Sequence, residues 1–234
     1  MKILITNDDG ICASGIVRLA RAALALGEIT VIAPDREHSA QARRITVDRP
    51  IDLLPYDFPV PGVSAWSCSG SPVDCVRIGL SYLLPEKPDL VLSGLNYGNN
   101  VASDIQYSAT VGAALEAAHH GVAAIAFSEA FKGDPALADR YLPSLLADLA
   151  GVRPGRDVIL NINFPEGECR GVLSERTVSS GSLHRADFRL LERLPGGGLR
   201  LDPGSVREEL CEDGTDLRAV LDGYIAIGTV RNLE

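Results

Sequence analysis

Short apolar runs alternate with amphipathic stretches along the first 165 residues. Lys2 to Thr6 (KILIT) is an apolar run that meets a polar turn at Asn7. GIVRLARAALALG follows, with Ile16, Leu19, Ala20 and Leu24 at helical spacing and Gly27 as a stop. Ile29 to Ala33 is a second β-branched run, closed by Pro34. Pro72 to Leu84 reads as a helix with proline in its first turn. Ser108 to His120 reads as another, closed by Gly121. Asp89 to Ser93, Val122 to Phe127 and Val158 to Asn163 read as further buried strands. Residues 134–150 read as a helix in which Pro143 predicts a kink or a division into two pieces. Short apolar strands alternating with helices predict an α/β fold, a mostly parallel sheet covered on both faces.

The character changes after Phe164-Pro165. Residues 166–215 are rich in Gly, Arg and Glu, with few long apolar runs. The runs that start at Phe188 and Leu199 flank Pro195-Gly196-Gly197-Gly198, which predicts a β-hairpin with a flexible tip. A hairpin of that length needs something to pack against. It reads as a projecting arm that docks on another subunit, the alternative being an arm folded back on its own domain. Val220 to Val230 reads as a last strand. The expected organisation is a catalytic core over 1–165, and a hairpin and oligomerisation segment over 166–234 that completes the fold.

A length of 234 residues suits one large α/β domain and supports a core without disulfides. With 22 basic and 31 acidic residues the net charge is −9, which argues against a duplex nucleic acid as partner. No apolar stretch approaches the roughly 20 residues of a membrane span. The N-terminus shows no signal-peptide pattern, so a cytoplasmic protein is expected. Cys12, Cys68, Cys75, Cys169 and Cys211 include no C-x-x-C pair, and buried free thiols are expected.

Three strand runs end in polar residues: Asn7-Asp8-Asp9-Gly10, Asp35 to Ser39, and Ser93 to Gly98. In an open parallel sheet the ligand crevice lies at the carboxyl ends of the strands, so these clusters are expected to converge. Two readings of Asp8-Asp9 stand. Adjacent carboxylates at a buried strand exit repel unless a cation joins them, and their hard oxygens suit Mg²⁺, Mn²⁺ or Ca²⁺. Alternatively they are an acidic pair at a helix N-terminus. Ser39 and Asn96 offer neutral oxygens that can complete a coordination sphere. Tyr107-Ser108-Ala109-Thr110 opens a helix, where free N–H groups and two hydroxyls suit an anion; simple N-capping by Ser108 is the other reading. Metal beside a phosphate cradle is a usual arrangement for phosphoryl chemistry. Arg36, Arg43 and Arg44 are a local positive group able to receive a phosphate or a base, with Arg44 expected to be merely solvated. His38 reads as an exposed loop residue. His119 and His120 complement a helix dipole. An aspartyl-phosphate mechanism needs a second Asp two positions after the first, and Gly10 stands there.

TNDDG at 6–10, APDREHSA at 33–40, SGSPVDCV at 69–76, SGLNYGNN at 93–100 and YSATVGAALEA at 107–117 together resemble the SurE family of stationary-phase survival proteins. NINFP at 161–165 and DGTDLRAVLDGYIAI at 213–227 extend the likeness. The resemblance implies a Rossmann-like domain with a C-terminal swapped segment, in homodimers or homotetramers. It implies a metal-dependent phosphatase of nucleoside 5′- and 3′-monophosphates, with Mg²⁺ or Mn²⁺ on Asp8, Asp9, Ser39 and Asn96. Asp8 or Asp9 would assist proton removal. The phosphate would meet Asn96, Ser108, Ala109 and Thr110, with Arg43 nearby, and Asp74 would be structural. The family has glycine at the position of Ala109, and alanine there would be strained if the turn required positive φ. A nucleotide- or metal-binding module without catalysis is the alternative on the same fold.

Overall fold

The computed structural model describes residues 1–208 and 210–232; the end of the segment expected over 166–234 lies outside them. The chain runs β1 (Lys2–Thr6), α1 (Ser14–Ala23), β2 (Glu28–Pro34), β3 (Leu53–Pro55), β4 (Ser64–Cys68), α2 (Pro72–Ile78), β5 (Leu90–Tyr97) and α3 (Ala109–His119). It continues through β6 (Ala123–Glu129), α4 (Pro135–Leu149), β7 (Val158–Phe164), β8 (Val172–Arg176), β9 (His184–Arg193), β10 (Leu199–Arg207), α5 (Asp216–Leu221) and β11 (Ile225–Arg231).

Nine strands form one sheet in the order β3-β4-β2-β1-β5-β6-β7-β11-β8. The ladders from β4 through β7 are all parallel. β3 pairs antiparallel with β4, and β11 antiparallel with β7. The chain steps from β1 to β2 on one side, then returns to place β5 on the other. That reversal at β1 is the topological switch point, and a crevice opens beyond the carboxyl ends of β1 and β5.

Alternation along β1 divides the core in two. Ile3 and Ile5 face a cluster with Leu19 of α1 and Leu142 and Leu146 of α4. Leu4 faces the other side, with Val76 of α2 and Ala113, Ala114 and Ala117 of α3. The alanines let α3 lie close against the sheet, which brings its first turn to the crevice. On the opposite face, a Cβ at Gly15 would stand 2.0 Å from the carbonyl oxygen of Leu95, so only glycine lets α1 approach β5 this closely.

Several expectations change. β5 does not end at Ser93: it continues to Tyr97, regaining its pairing with β6 at Asn96–Ser128 and Tyr97–Glu129 after an irregularity that contains the cis Gly94–Leu95 peptide. The helix expected over 72–84 ends as α at Ile78, and a π turn closes it with Leu84 N–H on the Gly79 carbonyl. α4 is one helix through Pro143 and not two pieces, because its apolar face with Leu142, Leu145 and Leu146 is buried across the proline. Val220 and Leu221 belong to α5 rather than to the last strand; Thr215 caps that helix by accepting from Arg218 N–H. The free thiols are buried only at Cys68 and Cys75, and Cys12 is exposed beside the Tyr56 hydroxyl. Among the described residues, no helix is long and apolar enough to cross a membrane.

The segment after Phe164 does not stand apart as a whole. β8 and β11 finish the main sheet. β9 and β10 form a separate two-stranded ribbon that, among the described residues, pairs with no other strand. The hairpin is longer than its apolar pattern suggested, because β9 starts at His184-Arg185, ahead of the apolar run, and β10 runs on to Arg207.

Candidate active site

Asp8 and Asp9 leave β1 well before α1, which begins at Ser14 and has no acidic residue in its first turn. They are therefore not a helix-capping pair. Asp8 is 3% exposed. Its Oδ1 accepts from the Thr110 hydroxyl, and its Oδ2 from the Thr110 N–H at 3.2 Å. Burial pushes the Asp8 carboxyl above its ordinary range, against the pull of the Thr110 hydrogen bonds. Asp9 accepts from the Tyr97 N–H at 3.1 Å. Burial, and then the charge of Asp8, push Asp9 up to about 6. Among the described residues, neither carboxylate has a cationic partner.

The loop after β2 is fastened on both sides of this pair. His38 N–H donates to the Asp8 carbonyl at 2.7 Å, and Ala42 N–H to the Tyr107 carbonyl at 3.0 Å. Ala40 and Ala42 hold φ of 56° and 50°, a left-handed conformation costing alanine roughly 1–2 kcal/mol each. The tight loop places Ser39 at the crevice, with its hydroxyl donated to Glu37 Oε1 at 2.7 Å. From β5, Asn96 donates one amide N–H to the Gly98 carbonyl at 2.7 Å. Ser39 and Asn96 thus have donor hydrogens directed at other groups, and their oxygens keep lone pairs for a ligand.

Ser108 caps α3 by accepting from Val111 N–H at 3.1 Å. Thr110 is turned onto Asp8 and is fully buried. The first turn is therefore less open than the sequence suggested, since the N–H groups of Thr110, Val111 and Gly112 all have partners within the protein. Ala109 opens the helix in an ordinary right-handed conformation, so the position does not require glycine for its backbone.

Asp8, Ser39, Asn96 and Ser108 line one cavity of 680 Å³. Asp9 reaches its edge through the Tyr97 N–H. Arg43 is not brought there: its guanidinium pairs with Glu116 of α3, at 3.0 Å, and with the Asn232 side chain. Arg44 is exposed, and Arg36 reaches only Asp35. His38 is buried rather than exposed, because its loop folds back on β1; Nδ1 meets Gln41 Oε1 at 3.1 Å and Nε2 has no partner. Asp74 commits its carboxylate to the Ser71 and Thr46 N–H groups at the start of α2. His119 and His120 end α3 beside Asp157 and Glu116.

The far side of the cavity was not visible in the sequence. Tyr97, Phe131 and Lys132 line it from the ends of β5 and β6, and Glu166, His184, Arg207 and Leu221 from the C-terminal segment. Asp104 ties that segment down by accepting from the Ser182 hydroxyl at 2.6 Å and from the N–H groups of Leu183 and His184 at 3.2 Å. Only the adjacency of Tyr97 to Asn96 was a local signal; the others arrive by tertiary folding.

The fold and the cavity define a Rossmann-like α/β protein with an oxygen-rich ligand site at the switch point of its sheet. Residues 3–183 match the family described as Survival protein SurE. The chain is 37% identical to the 5′-nucleotidase SurE of Pelotomaculum thermopropionicum, covering 98% of this chain and 89% of that protein. It is 40% identical to the 5′-nucleotidase SurE of Gemmatimonas aurantiaca, over 97% of this chain and 91% of the relative. The crystal structure of the SurE protein from Aquifex aeolicus superposes with a TM-score of 0.82 at 29% identity, covering 100% of this chain and 95% of that one. The chain belongs to the SurE family.

The raised carboxyl of Asp9 gives a prediction with a definite sign. Its pKa is higher in the folded state than in an unfolded chain, near 3.9. Folding therefore takes up protons between about pH 4 and 6, and the ionised Asp9 destabilises the metal-free fold above that range. With chelator present, Asp9→Asn should raise the melting temperature at about pH 8, and the gain should vanish by about pH 4. A variant that melts at or below the parent at pH 8 would show that the carboxylate is not under electrostatic load.

Proposed function

We propose that this chain is a phosphomonoesterase that hydrolyses nucleoside 5′-monophosphates, and 3′-monophosphates as further substrates, with a divalent cation held by Asp8, Asp9, Ser39 and Asn96. One observation carries the reading: a buried and a half-buried carboxylate, neither with a cationic partner among the described residues, share a crevice with two oxygens whose donor hydrogens point elsewhere. Carboxylate, amide and hydroxyl oxygens are hard ligands and suit Mg²⁺ or Mn²⁺. The curated names of the relatives support the substrate class.

A bound divalent cation supplies charge neutralisation at the phosphate and acidifies water. The protein's own residues do the rest. Thr110 fixes Asp8 from two directions and so sets the angle of its carboxylate. The Ala109 N–H and the start of α3 face the phosphate charge, and the Ser108 hydroxyl borders it. Asp9, the more open of the two carboxylates, accepts the proton that the attacking water loses. The water oxygen bonds to phosphorus, the ester P–O bond breaks, and the departing nucleoside oxygen takes up the proton that Asp9 received, which regenerates the carboxylate. Arg43 is outside this arrangement while it pairs with Glu116 and Asn232; a role for it with phosphate requires that pairing to open.

Phosphate release from a panel of nucleoside monophosphates tests the reading. The metal-stripped enzyme should be inactive, and Mn²⁺ or Mg²⁺ should restore turnover. Asp8→Asn should lower kcat about a hundredfold or more with an unchanged far-ultraviolet spectrum. No release with either metal would leave nucleotide binding without catalysis as the function of the cavity.

The hairpin carries the second part of the proposal, self-association as a dimer or tetramer. Phe188 is 63% exposed and Leu191 62%, on a ribbon that, among the described residues, pairs with no other strand. Exposed apolar side chains on a projecting ribbon mark an interface, and a second copy of the chain fits it. The doubly substituted Phe188→Glu, Leu191→Glu protein should run as a monomer in light scattering at concentrations where the parent is oligomeric. An unchanged mass would place the interface elsewhere.

A further inference from the structure

Three large aromatic side chains stand exposed around the cavity: Tyr97 at 52%, Phe131 at 61% and Tyr107 at 66%. Grouped aromatic exposure of this kind beside a pocket marks a binding surface. Two of the rings touch. The centroids of Tyr97 and Phe131 are 4.5 Å apart, with planes inclined at 39°.

Their position follows from the sheet. Tyr97 ends β5 opposite Glu129 at the end of β6, and Phe131 lies two residues beyond. The Gly98 N–H holds the Glu129 carbonyl at 2.8 Å, and the Tyr97 N–H holds Asp9 Oδ2 at 3.1 Å. The Tyr97 ring is therefore anchored one residue from Asn96 and through its own backbone to Asp9. At 4.5 Å the two rings leave no room for a third between them. Each ring keeps its outer face, on opposite sides of the pair, and such a face is open to stacking at the rim of a cavity lined by both polar and apolar residues.

We propose that the Tyr97–Phe131 pair is the nucleobase platform of this site, and that it favours purines over pyrimidines by the larger stacked area. The inference rests on the nucleotide reading above. A phosphate seated by Asn96 and Ser108 lies in the same cavity that Tyr97 and Phe131 line, which brings the ring pair within the space left for the sugar and base. Stacking reads any base by its flat face, so the platform confers preference for nucleotides over other phosphomonoesters without requiring a base-specific hydrogen bond.

The test compares adenosine 5′-monophosphate with ribose 5-phosphate, the same ester without the base, in the metal-restored enzyme. Phe131→Ala should raise KM for the nucleotide, with kcat held within about twofold. The ratio of kcat/KM for nucleotide over ribose 5-phosphate should fall roughly five- to a hundredfold. Phe131→Trp should restore that ratio. An equal change on both esters, or no change, would overturn the platform. Calorimetric binding of adenosine, which has no phosphate, reads the platform independently of turnover. Weaker binding by Phe131→Ala supports it even if neither ester is hydrolysed, whereas binding unaltered by the substitution overturns it. Absence of hydrolysis of every ester by the parent would refute the phosphatase reading alone.

Discussion

Two carboxylates lie at the exit of a buried central strand, and among the described residues no positive side chain pairs with them. Asp8 is nearly inaccessible, and Asp9 is pushed to about 6 by burial and then by the charge of Asp8. Such an arrangement costs folding free energy at neutral pH. The surrounding structure holds it in place: Thr110 grips Asp8 from the first turn of α3, the Tyr97 N–H grips Asp9 from β5, and the loop after β2 hangs from the Asp8 carbonyl. The site is in this sense an electrostatic deficit, which the proposed cation would relieve.

The fold supplies the rigidity that such a deficit requires. The switch point at β1 puts three strand ends beside one another, and parallel pairing fixes their relative height. Gly15 lets α1 press onto β5, and the alanines of α3 let that helix press onto the other face. The strained alanines at 40 and 42 show the same economy of space, with the loop compressed between Asp8 and Tyr107. The C-terminal segment then closes the far wall through Asp104, so a part of the chain remote in sequence borders the same cavity as β1.

Much of this was legible because it follows from local pattern. The apolar runs of β1, β2, β6 and β7 and the polar residues that end them are continuous in the chain, and a parallel sheet forces those ends together. The edge strands β3 and β8, and β4 beside β3, carry no such signal, since they are three to five residues long and partly exposed. α5 is a six-residue helix whose apolar residues merge with those of β11 in one run, so its existence depends on the Thr215 cap and on packing. Asn96 was identified, but not the reason it is rigid, because the continuation of β5 through Gly94 depends on pairing with β6. The burial of His38, the engagement of Thr110 by Asp8 and the diversion of Arg43 to Glu116 are tertiary choices with no counterpart in spacing or composition.

The central claim is that protonation and cation binding compete at Asp8 and Asp9. Calorimetric titration with Mn²⁺ in buffers of differing ionisation enthalpy measures the protons released on binding. One binding site per chain is expected, with proton release marked near about pH 5.5 and its Asp9 share fading by about pH 8 as that carboxyl ionises on its own. Absence of binding, or binding whose proton release does not change with pH, would contradict it.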